Sequence, residues 1–269
     1  MNETRRITTR VLGTMKKEGK KISALTAYDA TIAKLLDRAG IDIILVGDSL
    51  ANVVQGHDST LPVTLDEMIY HTKAVTRAVE RSMIVTDMPF MSYQVHHDEA
   101  FRNAGRIMKE TSSGAVKLEG GIEFAEAVRR MTSSGIPVMG HLGLQPQSIF
   151  QYGGYQPRGK TEEEATKILS DAMALQHAGA FAIVLEKIPS SLAKIITESL
   201  TIPTIGIGAG KHCDGQILVY ADMLGLTVDF SPRFVRRYDN FSERTVKATK
   251  EYIKDIVSGD FPNDSESYE

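Results

Sequence analysis

The chain has 269 residues, of which 42% are hydrophobic and 24% charged. Those proportions exclude a mostly disordered or fibrous polypeptide. With 34 acidic and 31 basic side chains the formal net charge is -3, so no surface for nucleic acid or anionic membrane is expected. The single cysteine, Cys213, excludes an intrachain disulfide and suits a reducing cytoplasm.

Met1-Asn2-Glu3-Thr4-Arg5-Arg6 leads into no apolar run, so a secretory leader is not expected. The longest stretch without Asp, Glu, Lys or Arg, Met131 to Pro157, holds three prolines, four glutamines and several glycines and is a poor membrane span. Residues Thr8–Lys21 read as a helix placed before the first strand. Short apolar runs then recur: Ile22–Thr26, Ile41–Val46, Met83–Thr86, Ala115–Leu118, Pro137–Gly140, Ala182–Leu185 and Thr204–Ile207. They suit parallel strands covered on both faces. An eighth, Ile217–Tyr220, suits a strand or a first helical turn equally.

Amphipathic segments lie between these runs. Thr64-Leu-Asp-Glu67 is a capping box opening a helix, and Thr161-Glu-Glu-Glu164 offers the same device before a helix that Gly179 is placed to end. Segments 30–39, 98–111, 122–134 and 190–200 carry weaker helical patterns. Strand and helix alternating in this way predict an α/β fold, a (β/α)8 TIM barrel, with the whole of 1–269 as one domain and a short acidic tail from about 258. An open doubly wound sheet is the competing architecture, but no first strand leads into Gly-x-Gly-x-x-Gly.

In such barrels the chemistry sits at the C-terminal ends of the strands. There the sequence places Asp48 and Ser49, Asp87, Lys117 and Glu119, His141, Glu186, and the glycine-rich Gly206–Gly210. Helix capping is the ordinary use of Asp after a strand. For Asp48 and Asp87, however, the next convincing helices start well downstream, near Thr64 and Asp98. Lys117 and Glu119, two apart on a strand, project to one face, as a structural ion pair or as site residues. Glu186 is followed by Lys187, so a surface pair is open to it. Several carboxylates on one rim hold protons or a cation, and all-oxygen ligation suits Mg²⁺ first. No histidine or cysteine spacing suggests zinc, and His141 reads as a supporting or packing residue rather than a base. Loops 49–63, 88–97 and 142–160 exceed the roughly two to six residues usual in such folds. The last suits a lid or pocket wall, or a surface excursion. Gly206–Gly210 suits a phosphate cradle or close backbone packing.

Seven segments, in order along the chain, carry a resemblance. They are Leu25-Thr-Ala-Tyr-Asp29, Leu45-Val-Gly-Asp-Ser49, Val54–Thr64, Met88-Pro-Phe-Met91, Val116-Lys-Leu-Glu-Gly-Gly121, Gly140–Gln147 and Gly206–Gly210. Together they make the chain similar to the ketopantoate hydroxymethyltransferase (3-methyl-2-oxobutanoate hydroxymethyltransferase) family of pantothenate synthesis. The resemblance implies a Mg²⁺-binding (β/α)8 barrel with Asp48, Asp87 and Glu119 in the metal positions. It puts Asp48, Ser49, Asp87 and Lys117 in substrate-binding positions and Glu186 in that of the proton acceptor. It further implies a 2-oxo acid substrate, 5,10-methylenetetrahydrofolate as co-substrate, and a homodecamer of two pentameric rings. A Mg²⁺-dependent lyase or mutase of the phosphoenolpyruvate mutase/isocitrate lyase type is the alternative. Those lyases resemble one another in a Lys-Lys-Cys-Gly-His loop, and Cys213 lies outside any such motif. A catalytically silent barrel that binds a 2-oxo acid would leave gaps among the rim charges, and there are none.

Overall fold

The computed structural model describes residues 6–228 and 232–268. The first five residues, read above for a leader, lie outside the described residues, as does Glu269 of the tail. The chain divides into two compact units, Met1–Val219 and Tyr220–Glu269.

The first unit is a closed barrel of eight parallel strands, each paired with its neighbours in sequence and the last with the first. These are β1 (Ile22–Thr26), β2 (Ile43–Val46), β3 (Met83–Asp87), β4 (Ala115–Glu119), β5 (Val138–Gly143), β6 (Ala182–Glu186), β7 (Thr204–Ile207) and β8 (Gly215–Leu218). Around them run α1 (Thr9–Lys17), α2 (Ala30–Ala39), α3 (Leu50–Val53), α4 (Leu65–Thr76), α5 (His97–Thr111), α6 (Ala125–Ser133), α7 (Ile149–Tyr152), α8 (Glu162–His177) and α9 (Ser190–Ser199). β7 passes to β8 through a loop with no helix.

Side chains alternate along each strand. Met83, Val85, Ala115, Met139, Ala182 and Val184 fill one apolar cluster inside the barrel. The intervening Val116, Leu118, Leu142, Ile183 and Leu185 pack outward in a second cluster with α5, α6, α8 and α9. The fully buried Leu12 of α1 joins the inner cluster, so the helix before β1 covers that core. Burial of a leucine contributes about 1.5–3 kcal/mol.

Local signals explain where helices begin. Thr64 accepts from the Glu67 N–H while the Glu67 carboxylate returns to the Thr64 N–H, completing the capping box on α4. On α8 only half of the device forms. Thr161 accepts from the Glu164 N–H, but the Glu164 carboxylate turns to the Gly159 N–H and to Arg158. The arginine offers a charged partner that the capping position lacks.

The second unit holds α10 (Tyr220–Met223) and the long α11 (Phe241–Ser258), followed by a 3-10 turn at Asp264–Glu266. The run Ile217–Tyr220 is thus divided: Ile217 and Leu218 end β8, and Tyr220 begins α10. Beyond Ser258 the tail carries a 3-10 turn of its own, capped by Asn263.

Candidate active site

The period-two alternation that fills the barrel with Met, Val and Ala changes chemistry at the C-terminal ends. On β3 the inward series Met83, Val85 ends in Asp87; on β4 Ala115 is followed by Lys117 and Glu119; on β5 Met139 by His141; on β6 Ala182 and Val184 by Glu186. Register brings them together. Asp87 lies opposite Lys117, and Glu119 opposite His141. Asp48 and Ser49 follow β2 and lead into α3. Asp48, Asp87, Lys117, Glu119 and His141 are each at most 5% exposed, and Glu186 is partly buried.

Ionised groups so deep need partners. Lys117 Nζ stands 2.9 Å from Asp87 Oδ1, so the lysine pairs across the sheet with Asp87 rather than along its own strand with Glu119. Asp87 Oδ2 accepts the Asp48 N–H at 3.0 Å. Asp48 Oδ2 accepts from Gln147 Nε2 at 2.9 Å, and Glu119 Oε2 from the Gln147 N–H at 3.0 Å. Neither aspartate caps a helix. His141 bridges two acids, with Nδ1 3.3 Å from Glu119 Oε1 and Nε2 3.3 Å from Glu186 Oε2. Lys117 Nζ is also 3.2 Å from His141 Nδ1. Ser49 Oγ lies 2.8 Å from the hydroxyl of the buried Tyr28. Gly47 lets this loop close up, since a Cβ there would stand 2.8 Å from Ser49 Oγ.

The charge balance follows from that geometry. Burial, and then the negative fields of Asp87 and Glu119, push the Asp48 carboxyl up to about 8. Burial also raises Asp87, against the pull of Lys117. Burial alone would lower Lys117, but the carboxylates of Asp87, Glu119 and Asp48 overcome it and hold the ammonium above its ordinary value. Burial and Lys117 disfavour charge on His141, whereas the carboxylates of Glu119 and Glu186 beside it bring it to about 9. His141 is therefore an imidazolium near neutral pH, its Nδ1–H directed at Glu119 and its contact with Lys117 repulsive.

A surplus of buried negative charge fits a hard cation. Asp87 Oδ1 is buried and makes no hydrogen bond, although Lys117 lies beside it. Asp48, Asp87 and Glu119 supply only oxygen donors, as Mg²⁺ requires. As they stand, no three His, Cys, Asp or Glu side chains among the described residues are grouped so as to hold an ion, and each of these carboxylates gives one oxygen to an N–H.

Three participants were not assigned by sequence reasoning: Tyr28, Tyr93 and Gln147. The Tyr93 hydroxyl accepts the Glu119 N–H and lies 2.8 Å from Gln147 Oε1. Tyr28 and Gln147 fall within the matched segments 25–29 and 140–147, which is the signal that could have found them. Loop 142–160 is a pocket wall. Its Gln145, Ser148, Gln151 and Tyr152 line, with Phe90, Tyr93, Glu119 and Phe124, a cavity of about 440 Å³. The Gly206–Gly210 loop is packed closely: a Cβ on Gly210 would overlap Ser190, and one on Gly206 would crowd Cys213.

A closed eight-stranded parallel barrel with a lysine, an imidazolium and four acids at its C-terminal end defines a (β/α)8-barrel enzyme. Solved structures share the architecture. The chain superposes on phosphonopyruvate hydrolase with a TM-score of 0.62 at 13% identity, covering 98% of this chain and 92% of that one. For 2,3-dimethylmalate lyase, a PEP mutase/isocitrate lyase superfamily member, the TM-score is 0.59 at 15% identity, covering 97% and 91%. At such identities the fold alone is shared. Sequence goes further: the chain belongs to the ketopantoate hydroxymethyltransferase family, whose model matches residues 6–264. It is 60% identical over 266 residues to a 3-methyl-2-oxobutanoate hydroxymethyltransferase of Chlorobium phaeobacteroides, covering 97% of this chain and 96% of that protein. It is 57% identical to the Flavobacterium johnsoniae protein of the same name, covering 98% and 97%. Among the described residues, no helix is long and apolar enough to cross a membrane.

Proposed function

We propose that the chain transfers a hydroxymethyl group from 5,10-methylenetetrahydrofolate to 3-methyl-2-oxobutanoate, giving 2-dehydropantoate and tetrahydrofolate. The observation that carries this reading is the near-complete match, at 60% identity, to a protein named for that reaction. The buried charges at the barrel's end supply chemistry that suits it.

The substrate presents a carboxylate beside a ketone, and the hydrogen on C3 is acidified by that ketone. In this reading Asp48, Asp87 and Glu119 hold Mg²⁺, which supplies Lewis acidity at the ketone oxygen when bound. Lys117, kept charged by its carboxylate neighbours, offers positive charge to the substrate's oxygens. The Ser49 hydroxyl donates to the substrate carboxylate, with Tyr28 orienting it at 2.8 Å. Glu186 takes the C3 proton. His141, cationic and 3.3 Å away, holds that carboxylate in place. As C3 bonds to the methylene carbon, one of that carbon's two C–N bonds to folate breaks. Water then displaces the second nitrogen and provides the new hydroxyl, and the two nitrogens take up the proton released from C3 and the one lost by water.

A cytoplasmic setting and a homodecamer of two pentameric rings belong to the same proposal. On α11 no residue is buried, and Val246, Ile253, Ile256 and Val257 stand exposed, an apolar face that self-association would cover. The test is product formation: with Mg²⁺, 3-methyl-2-oxobutanoate and 5,10-methylenetetrahydrofolate, 2-dehydropantoate is expected. Its absence, or cleavage of isocitrate or 2-methylisocitrate instead, would overturn the assignment in favour of a lyase.

A further inference from the structure

Gln147 sits in the 3-10 turn Pro146–Ser148 that follows β5, and only 6% of it is exposed. All four hydrogen-bonding positions of its amide are used. Nε2 donates to Asp48 Oδ2 at 2.9 Å and to the Met88 carbonyl at 3.0 Å. Oε1 accepts from the Tyr93 hydroxyl at 2.8 Å and from Gln94 Nε2 at 2.9 Å. Two acceptors on one side and two donors on the other determine which way round the amide lies, because a turned amide would face like with like. The Gln147 backbone N–H meanwhile donates to Glu119 Oε2.

On one side the three carboxylates are held alike, although Lys117 also meets the second oxygen of Asp87 and His141 that of Glu119. Each has one oxygen committed to a neutral N–H: Asp48 Oδ2 to the Gln147 side chain, Glu119 Oε2 to the Gln147 backbone, and Asp87 Oδ2 to the Asp48 backbone. Two of those three donors come from one residue. A carboxylate with one oxygen committed offers a cation the other oxygen alone. Ca²⁺ builds its larger shell with the help of carboxylates that give both oxygens, whereas Mg²⁺ keeps a small octahedral shell and takes single oxygens.

We propose that Gln147 is a positioning residue that sets the cation preference of this site, committing one oxygen of Asp48 through its side chain and one of Glu119 through its backbone N–H and so favouring Mg²⁺ over Ca²⁺. This rests on Asp48, Asp87 and Glu119 being the cation's ligands. It assigns Gln147 no part in proton transfer.

The experiment is calorimetric titration of the substrate-free protein with Mg²⁺ and, separately, with Ca²⁺, for the wild type and for Gln147→Met. Methionine keeps the length of the side chain and removes its donors and acceptors. Loss of such an outer partner weakens metal binding by roughly 10- to 100-fold. That loss is expected for Mg²⁺, with a smaller loss for Ca²⁺, so that the preference narrows by about tenfold. Equal weakening of both cations, or of neither, in a variant with a wild-type circular dichroism spectrum would overturn the proposal. Gln94→Leu removes one of the two donors to Gln147 Oε1 and leaves the Tyr93 hydroxyl that accepts the Glu119 N–H, so it decides the matter if the methionine variant fails to fold. A narrowed Mg²⁺/Ca²⁺ ratio is expected there, and an unchanged ratio would overturn the proposal. A folded wild type that binds neither cation would refute the ligand assignment itself, a result distinct from the failure of Gln147 alone.

Discussion

Replacing Gly143 by alanine strikes the proposed base without touching it. Gly143 ends β5 in register with Glu186 of β6, and the next N–H, that of Leu144, donates to the Glu186 carbonyl at 2.8 Å. Its φ is +94°, a conformation that side chains with a Cβ rarely take, and an added Cβ would overlap the Glu186 carbonyl oxygen and stand 2.7 Å from Ile188 Cγ2. The backbone conformation costs about 1–2 kcal/mol, and forcing a methyl into filled space about 1–3 kcal/mol more. Together they give roughly 2–5 kcal/mol of destabilisation. At roughly 2–4 °C per kcal/mol for a chain of this length, Tm falls by on the order of 10 °C. Relief comes by moving the end of β6, and a misplacement of about 1 Å in a reacting group costs on the order of 10²-fold in rate. Thermal denaturation and C3 exchange of 3-methyl-2-oxobutanoate in D₂O measure both effects. An alanine variant with wild-type Tm and wild-type exchange would refute the claim that this glycine sets the position of Glu186.

Other perturbations separate the roles. Glu186→Gln should suppress C3 exchange by about 10²–10⁴-fold while substrate still binds by calorimetry; exchange at the wild-type rate would remove Glu186 from the base role. Asp87→Asn removes the charge beside Lys117 and should weaken Mg²⁺ and keto acid together, and normal affinity for both in calorimetry would contradict the assignment. Asp37, at the end of α2, accepts from the N–H groups of Glu80, Arg81 and Ser82 and from the Ser82 hydroxyl, tying α2 to the chain entering β3. Burial opposes its charge, but these hydrogen bonds prevail and lower its pKa below the ordinary 3.8. The stability it gives is thus complete above that value and is lost as pH falls through the depressed folded pKa. Asp37→Ala should cost about 1.5–3 kcal/mol at neutral pH in urea denaturation and progressively less in acid; a pH-independent difference would count against this.

The barrel was legible because its strands are buried on both faces, so each shows as a short apolar run. The runs for β1 and β7 match the structure residue for residue, while β3, β4 and β6 extend one residue further, into Asp87, Glu119 and Glu186. A charged residue ends an apolar run in sequence, yet in the barrel it is the last inward position of the strand. Helix α11 left no core-facing signature, since none of its residues is buried, and it was not anticipated. The acids and Lys117 could be located by the strand-end rule, but not their partners. Lys117 meets Asp87 because β3 and β4 lie in register, a relation across thirty positions that spacing does not reveal. Gln147 reaches Asp48 over a separation of 99 residues, and as a neutral amide only its place in the matched segment 140–147 could have marked it as more than a loop residue.

The central claim is that acids from separate strands, with a divalent cation, make a ketone release its C3 proton to Glu186. Proton NMR of 3-methyl-2-oxobutanoate in D₂O, with the protein and Mg²⁺ but no folate, measures that step alone. Loss of the C3 proton signal is expected with Mg²⁺, and its persistence when EDTA is added. A folded, Mg²⁺-loaded protein that leaves the signal intact would contradict the account.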